Sequence, residues 1–520
     1  MMDFGTLFDM LEERGSRTVV HLDRPFDADP DGGLRHPIAS LAALVRELAG
    51  MLAAAGATPG DRVAIVKENH WDGALLACAA TRIGAVPALL SGALPPETMR
   101  TLVHRLEPAL VVGMPDQLRA LGDLSALRAI DLTGTTPGAI VADDLRGHDA
   151  PPPHRRHDDA PLAINHTSGT TGVPKLVVHS TTTLIRRIAD FEALPMPVLT
   201  AHRGDVVASA ISFVHGRAIT WTASAFRHQP REVLIVTDPD PARALPMLER
   251  HRPSMVEALP STYVRWQREE TTAFRNTRLF ISTFDAIHPS TVRGYLRDSA
   301  RRFPVWLQGW GQTETGPLTL RLMTRRALAR PSRRHPTTRH LGWPVPFQTR
   351  LRVVDPKTLS PVRRGRPGLI QARTGARCLG YLGEEHRWAA KTDGAWFHTG
   401  DIGVRDRLGG LRLLDREVDA APGLSCMEIE DLVDERLPAV QECVLLTSPD
   451  APPVPVLVTT DGTVDAHAWA AAVADLPRLA APVVVAAADV PRTGTGKVRR
   501  MELRARIGGL TAPVGTGRWT

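Results

Sequence analysis

The chain has 520 residues, which is too long for a single hydrophobic core, so we expect two or more domains. Its composition, 43% hydrophobic and 23% charged, is typical of a soluble globular protein. The net charge of +7 is small for this length. The basic cluster at residues 325–335 has no interleaved aromatic residues, so we expect a solvated loop there and no nucleic-acid partner.

No CxxC or Cys/His metal spacing connects the four cysteines, Cys78, Cys378, Cys426 and Cys443. We interpret them as reduced thiols of a cytoplasmic protein. The first fifteen residues are acidic and lack a long apolar run, so no signal peptide is expected. The most apolar stretch, residues 74–90, contains Arg82 and Pro87. It is short for a bilayer, which favours a core helix leading into a strand and no membrane contact.

Helices and strands alternate along the first half of the chain. Apolar residues between 41 and 52 recur on one helical face, and Gly56 is a natural stop for that helix. Short apolar runs predict strands at residues 62–66, 109–113, 205–213, 232–238 and 254–259. This alternation predicts an α/β protein whose layered subdomains have mainly parallel sheets.

A second unit is predicted near the C-terminus. Residues 398–415 are typical of a hairpin with its turn at Gly409 and Gly410, and about a hundred residues with an α/β pattern follow. We therefore expect a large N-terminal domain at residues 1–415 and a small mobile C-terminal domain at residues 416–520.

The stretch "HTSGTTGVPK" at residues 166–175 combines flexible glycines with hydroxyl side chains and one lysine. It is not a Walker A loop, because that motif has a lysine directly after a glycine and leads into a helix. Here Pro174 precedes Lys175, and the next residues indicate a strand. Taken alone, the stretch fits a phosphate loop or an ordinary turn equally well. The candidate phosphate-binding residues are Thr167, Ser168, Gly169, Thr170, Thr171, Gly172 and Lys175.

Five further segments decide between these alternatives. They are "FVHGRA" at 213–218, "GWGQTETG" at 309–316, "HTGD" at 398–401, "DREVD" at 415–419 and "PRTGTGKVRR" at 491–500. Together and in this order, the six segments resemble the motifs of the adenylate-forming superfamily, which includes acyl-CoA synthetases, peptide-synthetase adenylation domains and luciferases. The resemblance implies that an acid attacks the α-phosphate of ATP, giving an AMP anhydride and pyrophosphate, before transfer to an acceptor.

The resemblance also implies roles for individual residues. Lys497 would bridge the acid and the α-phosphate, Glu314 would bind Mg²⁺, and Thr313 would donate to a phosphate oxygen. A solvated loop lysine and a helix-capping pair are the alternatives for these positions. His215 would line the acyl pocket, although a buried structural histidine fits the sequence almost as well.

The remaining nucleotide contacts follow in the same way. Asp401 would accept the ribose hydroxyls, with a turn aspartate as the alternative, and Arg416 would add a second contact. Trp310 and the adjacent Gly311 would hold the adenine, although Trp310 also suits a core. Lys175 would contact the outer phosphates or, alternatively, face solvent.

Three departures from the family pattern bear on the acceptor and the substrate. Val418 replaces a polar hinge residue, and the loop before "EIE" at 428–430 is about four residues short. This weakens the case for coenzyme A or a carrier protein as acceptor. Phe284 and Asp285 stand in a segment that is usually glycine-rich. With Arg217, they predict a small polar or aromatic substrate, unless Asp285 pairs with Arg217 or faces solvent.

We therefore expect an ATP-dependent, AMP-forming ligase acting on a small acid, with coenzyme A as the default acceptor of the family. A non-thioester enzyme is the main alternative, such as a diazotase that activates nitrite for attack by an aryl amine. A catalytically silent nucleotide-binding protein is a third possibility, against which Glu314, Asp401 and Lys497 argue.

Overall fold

The computed structural model describes residues 3–134, 136–167, 173–328, 340–416, 425–448, 451–459, 462–493 and 496–508. Within them, two large sheets carry helices on their faces, and a smaller sheet lies near the C-terminus. The chain is an α/β protein, which confirms the predicted fold class. Residues 168–172 and 417–424, which contain most of the candidate phosphate loop and the predicted hinge at Val418, lie outside this description.

The first sheet has eight strands, six of them parallel. In spatial order they are Gly380–Tyr381, Leu176–Ser180, Pro161–His166, Val86–Ser91, Arg62–Lys67, Leu110–Gly113, Ala129–Asp131 and Ile140–Val141. The first two strands run antiparallel to their neighbours. Their position at the edge brings residue 381, from late in the chain, beside the strand that follows the candidate phosphate loop.

The second sheet has fourteen strands and consists of a parallel part and an antiparallel part. Its parallel part consists of Val305–Gln312, Leu279–Ser282, Met255–Ala258, Val206–Ala210, Glu232–Ile235 and Val19–Leu22. Arg35–Pro37 closes one edge. The antiparallel part contains Gly316–Thr324, His340–Pro344, Leu411–Arg416, Trp396–Arg405, Gly368–Thr374, Thr349–Val354 and the short Thr392–Asp393.

The helices cover these sheets. They are Leu7–Glu13, Ile38–Ala54, Asp72–Arg82, Pro96–Leu106, Pro115–Leu121, Asp190–Glu192, Arg217–Ala225, Pro241–His251, Pro260–Trp266, Pro289–Asp298, Glu385–Ala389, Cys426–Arg436, Ala466–Val473 and Arg500–Gly508. Thr182–Ala189 forms a π-helix, a rare conformation that is frequent at functional sites. Short 3₁₀ turns occur at Pro30–Gly32, Ala142–Leu145, Phe226–His228 and Ala487–Asp489.

The main core surrounds the helix Asp72–Arg82. Ten of its eleven residues are buried, because alanines and leucines occupy every face of the helix. It packs against Ile38–Ala54 and Arg217–Ala225 and contributes to the same hydrophobic cluster as residues of both sheets. The apolar stretch at residues 74–90 is therefore a core helix and a strand, as predicted.

The other predicted elements agree with the structure to within a few residues. The first long helix ends at Ala54, and Gly56 adopts a φ of +92°, which a glycine reaches without steric cost. The predicted hairpin is present in Trp396–Arg405 and Leu411–Arg416, with Gly409 in its turn. The strands of the antiparallel part outside this hairpin were not predicted.

The C-terminal part has its own small core. Val440–Ser448 pairs antiparallel with Ala451–Thr459, which pairs parallel with Val483–Ala486. Cys426–Arg436 packs on this sheet and also contacts the larger part, where Arg293 and Glu435 form an ion pair at 2.6 Å. The predicted boundary at residue 415 stays a prediction.

Candidate active site

A cavity of about 510 Å³ lies against the parallel part of the larger sheet and extends to the carboxyl ends of its strands, where Glu257, Thr283 and Thr313 line it. In α/β proteins, ligands bind at this edge because the loops that follow the strands converge there. Most of the lining is apolar. The polar exceptions include Asn165, Glu192, His215, Arg217, Glu257, Thr313 and Lys497.

His215 lies between the strand Val206–Ala210 and the helix Arg217–Ala225. Its Nδ1 accepts from the backbone N–H of Arg217 at 3.1 Å, so Nε2 carries the proton and donates to Thr313 Oγ1 at 3.2 Å. Burial, reinforced by nearby positive charge, lowers the pKa of His215 to about 3. The ring is therefore neutral at physiological pH and orients Thr313 without exchanging protons.

Glu314 is buried beside two polar partners. Tyr381 Oη donates to its Oε1 at 2.7 Å, and Lys175 Nζ lies 3.8 Å from the same oxygen. Lys175 Nζ also donates to Tyr381 Oη at 3.3 Å. Burial lowers the pKa of the Lys175 ammonium, while the Glu314 charge opposes this effect. Lys175 is therefore part of a lysine–tyrosine–glutamate group and does not face solvent alone.

The segment around Thr167 and Lys175 is closed by two hydrogen bonds. Thr167 N–H donates to Lys175 O at 3.0 Å, and Lys175 N–H donates to Thr167 Oγ1 at 3.1 Å. Leu176–Ser180 then continues as a strand, which agrees with the rejection of a Walker A loop. His166 supports the strand end, because its Nε2 accepts from Ser91 N–H at 3.2 Å. The candidate residues that lie outside the described part of the chain are Ser168, Gly169, Thr170, Thr171 and Gly172.

Asp401 is buried on the strand Trp396–Arg405 next to Gln312. Gln312 Nε2 donates to Asp401 Oδ2 at 2.9 Å and to Thr399 O at 2.8 Å. The backbone of Arg416 pairs with Asp401 across the ladder, but the side chain of Arg416 lies outside the described part of the structure. Two of the matched segments, residues 309–316 and 398–401, therefore meet in space.

Trp310 lies between the cavity and an apolar core, and its contact with adenine stays a prediction. It lines the cavity and also packs against the apolar cluster that includes Leu318 and Leu341. Beside it, a Cβ atom at Gly311 would lie 2.0 Å from Gly316 O, so only glycine fits the close approach of the two backbones.

Lys497 reaches the cavity from the C-terminal part. Its loop is held by Thr493, whose N–H donates to Lys497 O at 2.8 Å and whose Oγ1 accepts from Lys497 N–H at 3.2 Å. Gly496 adopts a φ of +80°, and a Cβ there would lie 2.6 Å from Ser261 Oγ of the larger part. The tight turn and the close contact place the lysine over the cavity.

Arg217 is bound on two sides by carboxylates. Its Nη1 lies 2.5 Å and 2.7 Å from the two oxygens of Glu192, while Nε and Nη2 donate to Glu257 at 2.9 Å and 2.8 Å. Burial lowers the pKa of Arg217, but the two carboxylates outweigh it and raise this pKa above its ordinary value. Burial raises the pKa of Glu192. We call Glu192, Arg217 and Glu257 the acidic cluster.

Phe284 and Asp285 were both expected in the pocket, but they lie in different environments. Phe284 lines the cavity, and its ring meets His215 edge-on with the centroids 4.9 Å apart. Its φ of +79° lies in the left-handed region that glycine favours, which fits the glycine-rich pattern of related segments. The expectation of a pocket aspartate at 285 is wrong: Asp285 is exposed and accepts from Ala286 N–H at 3.0 Å. The acidic residues of the pocket are Glu192 and Glu257.

Sequence reasoning missed several residues of the site. Glu192, Glu257 and Tyr381 lie outside the matched segments, and their sequence contexts carry no recognisable pattern. Asn165 is buried in the lining with no hydrogen-bond partner for its amide among the described residues. It is adjacent to "HTSGTTG", so its position at the end of a buried strand was the available signal.

Known proteins resemble this chain over most of its length. Residues 16–382, well over half of the chain, match the model of the AMP-binding enzyme family. The chain belongs to this family. It is an AMP-forming adenylating enzyme.

Two relatives and one solved structure are informative. The chain is 39% identical to a 3-amino-2-hydroxy-4-methoxybenzoate diazotase of Streptomyces cremeus, covering 98% of this chain and 96% of the diazotase. It is 26% identical to an anthranilate–CoA ligase of Pseudomonas aeruginosa over 75% of this chain and 74% of the ligase. ATP-bound MatB from Rhodopseudomonas palustris has the same fold, with a TM-score of 0.79, 22% identity and coverage of 98% and 100%. Relatives of this enzyme thus act on small aromatic molecules.

Among the described residues, no helix combines the length and apolarity needed to cross a membrane.

Proposed function

We propose that this enzyme uses ATP to activate nitrite as a mixed anhydride with AMP and transfers the nitrosyl group to a small aromatic amine. The observation that carries the proposal is the similarity to a diazotase over nearly the full length of both chains. A cavity of about 510 Å³ with an apolar lining suits one aromatic ring and a small anion.

The proposed reaction has three steps, and the bonds formed and broken balance in each. A nitrite oxygen attacks the α-phosphorus of ATP, and pyrophosphate leaves. The amine nitrogen then attacks the nitrogen of the anhydride, AMP leaves with the bonding electrons, and one amine proton is released. The resulting nitrosamine tautomerises, accepts a proton and loses water to give the diazonium ion.

The chain has suitable residues for ATP. Asp401 would accept from the ribose hydroxyls, Trp310 and Gly311 would border the adenine, and Arg416 would add a further polar contact. Glu314 supplies the carboxylate oxygen that a hard cation prefers, so it would hold a Mg²⁺ ion that neutralises phosphate charge. The residues that would donate to phosphate oxygens are Thr167, Ser168, Gly169, Thr170, Thr171, Gly172, Lys175 and Thr313.

Lys497 would bring the two anions together. Lys497 lines the cavity, where its ammonium group would lower the repulsion between nitrite and the α-phosphate and stabilise the charge that develops during attack. The Asn165 amide, buried and unpartnered within the described residues, offers a donor to a small polar ligand in the same cavity.

Domain rotation belongs to the same proposal. Residues 416–520 would act as a lid that presents Lys497 during adenylation and moves afterwards. The contact of Gly496 with Ser261 is consistent with the first of these positions.

A second candidate function is activation of a small aromatic acid followed by transfer to coenzyme A. The similarity to an anthranilate–CoA ligase favours it, and the family resemblance makes coenzyme A or a carrier protein the default acceptor. The shortened segment after Asp419 weighs against a pantetheine arm.

One assay separates the two functions. Pyrophosphate release from ATP is measured with nitrite or with 3-amino-2-hydroxybenzoate alone, and then with both, each with and without coenzyme A. We expect release with nitrite alone and a diazonium product, trapped by azo coupling and carrying the label of ¹⁵N-nitrite, only when the amine is added. Release that depends on the aromatic acid without nitrite, with a thioester formed from coenzyme A, would establish the second function.

A further inference from the structure

We infer that the acidic cluster of Glu192, Arg217 and Glu257 is the subsite that binds the amino group of the aromatic substrate. This inference rests on the proposed function, which supplies the aromatic amine, and it names the residues that would recognise it.

The cluster has one more carboxylate than it has cations. Arg217 directs Nε, Nη1 and Nη2 at the oxygens of Glu192 and Glu257. The single positive charge of Arg217 balances one of the two carboxylates, so the cluster keeps one uncompensated negative charge. Within the described residues, the other donors to these oxygens are Ser224 Oγ, at 3.0 Å from Glu192, and Thr283 Oγ1, at 3.4 Å from Glu257. The wall of the cavity is therefore rich in acceptors and attracts hydrogen-bond donors.

A second polar group of the cavity wall points to a ligand independently. Asn165 is 1% exposed, and neither its amide nitrogen nor its amide oxygen has a hydrogen-bond partner among the described residues. The side chain lines the same cavity, close to Gly216, where a Cβ atom would lie 2.7 Å from Asn165 Nδ2. Since buried polar groups are normally paired, a ligand with both donors and acceptors is expected in this cavity.

The chemistry of an aromatic amine matches the acidic cluster. At neutral pH the amine is uncharged and carries two N–H donors, which can serve the two carboxylates. Its ring suits the apolar side chains around the cluster, among them Ile188, Phe191 and Trp221. An additional carboxylate at the same place would be repelled by the uncompensated charge.

The fold builds the cluster from rigid elements. Glu257 lies on the central strand Met255–Ala258, and Arg217 begins the helix after His215. Glu192 follows closely on the π-helix Thr182–Ala189, whose wider turns shift the residues after it relative to a regular α-helix. Ion pairs on three such elements fix the carboxylates before a ligand arrives.

The cluster also lies beside the place of activation. Arg217 N–H donates to His215 Nδ1, and His215 in turn donates to Thr313 Oγ1, while Lys497 lines the same cavity. An amino group bound by the two carboxylates would therefore share one cavity with the anion that Lys497 holds.

The test compares two ligands that differ only in the amino group, 3-amino-2-hydroxybenzoate and 2-hydroxybenzoate. Binding of each is measured by isothermal titration calorimetry without ATP or nitrite. For the unmodified protein, we expect about tenfold tighter binding of the amino compound. Glu192→Gln and Glu257→Gln should each reduce this preference to about twofold. Each variant leaves Arg217 one carboxylate partner, so each should fold.

Glu47→Gln is the matched control, because Glu47 also pairs with an arginine, Arg146, at 2.6 Å but lies outside the cavity lining. It should keep the full preference. An unchanged preference in both cluster variants would overturn the inference, and so would an equal loss of affinity for both ligands. Nitrite-dependent turnover tests the proposed function separately. If this turnover is absent, but the unmodified protein prefers the amino compound and the two cluster variants lose this preference, the proposed function is wrong and the subsite is supported.

Discussion

Glu314, Asp401 and Lys497 each lie in a short segment with a recognisable sequence, whereas Glu192, Arg217 and Glu257 come from three separate elements, and only Arg217 belongs to a matched segment. We propose that the first group binds ATP, Mg²⁺ and the attacking anion. The second group lines the cavity proposed for the aromatic substrate. Binding ATP requires backbone geometry as well as side chains, which constrains neighbouring residues, whereas a cavity wall requires only that certain side chains meet in space.

The two regions also handle charge differently. On the side proposed to bind the nucleotide, the carboxylates of Glu314 and Asp401 accept hydrogen bonds from Tyr381 and Gln312, which orient them. In the acidic cluster, one guanidinium is enclosed between two carboxylates. Loss of a nucleotide-side group should therefore impair chemistry without affecting the fold, while loss of Arg217 should impair the fold itself.

The largest effect is expected for Lys497→Ala. Removing the ammonium group from the cavity should decrease the rate of adenylate formation by about a hundredfold to a thousandfold, because the charge that develops at the α-phosphate loses its counter-charge. Pyrophosphate release in single-turnover experiments measures this step. Lys357→Ala, at an exposed position, is the control. Unaltered adenylation by the Lys497 variant would refute the assigned role, while unchanged thermal unfolding would show that the fold is intact.

Arg217→Met tests the difference between the two regions directly. This change leaves the buried Glu257 and the partly buried Glu192 without their cation, so we expect the free energy of unfolding to fall by about 3 kcal/mol. Urea unfolding followed by tryptophan fluorescence measures the loss. Adding Glu192→Gln and Glu257→Gln to the same chain should restore much of the stability, since no uncompensated charge remains. A triple variant as unstable as Arg217→Met would contradict an electrostatic cause.

The sequence predicts the regular α/β layers well, because hydrophobic periodicity and glycine stops are local signals. The helix over residues 41–52 and the strand at residues 62–66 can be recognised from the residues within each element alone. The antiparallel part was largely missed, since its half-exposed strands, such as Thr349–Val354, lack a continuous apolar run.

For the site, the segments around Glu314 and Asp401 could be recognised, and the structure brings them together. The composition of the cavity wall could not be predicted from the sequence. Asp285 was expected in the pocket because it stands with Phe284 in a segment that is usually glycine-rich, but Phe284 has a positive φ and residue 285 is exposed. The acidic residues of the pocket are Glu192 and Glu257, and Glu257 is 26 residues away from Thr283, its neighbour in the cavity. Such pairings arise from sheet order, which local patterns do not encode.

A smaller effect is expected where the two parts of the chain meet. His288 lies 3.5 Å from Asp431 and 3.2 Å from Asp434 on the helix Cys426–Arg436. Although burial opposes it, the charge of Asp434, aided by Asp431, raises the pKa of His288 to about 10. Because the pKa in the folded state exceeds that of the unfolded chain, the stabilisation is complete below about pH 6.5 and is lost as the pH rises through 10.

His288→Gln should therefore lower stability by on the order of 2 kcal/mol at about pH 6 and have little effect well above pH 10. Thermal unfolding of both proteins across this pH range measures the difference. His386→Gln, at a position without a carboxylate partner among the described residues, should show no such dependence. A deficit that grows with pH would contradict stabilisation by a protonated His288.

The smallest effect concerns the aromatic wall of the cavity. Phe284 has a φ of +79°, where any side chain is strained by roughly 1 kcal/mol and glycine is not. Replacement by alanine removes the ring that meets His215 and keeps the strain, whereas replacement by glycine removes both. We therefore expect Phe284→Gly to be more stable than Phe284→Ala by about 1 kcal/mol, the reverse of the usual order for these two residues.

Both Phe284 variants should bind aromatic amines with bulkier ring substituents more tightly, because both enlarge the cavity to a similar degree. Urea unfolding ranks their stabilities, and calorimetric titration with substituted amines measures the gain in affinity. If Phe284→Ala proves more stable than Phe284→Gly, the backbone at residue 284 relaxes when the ring is removed. The positive φ would then be caused by the packing of the phenylalanine ring and not by the surrounding backbone.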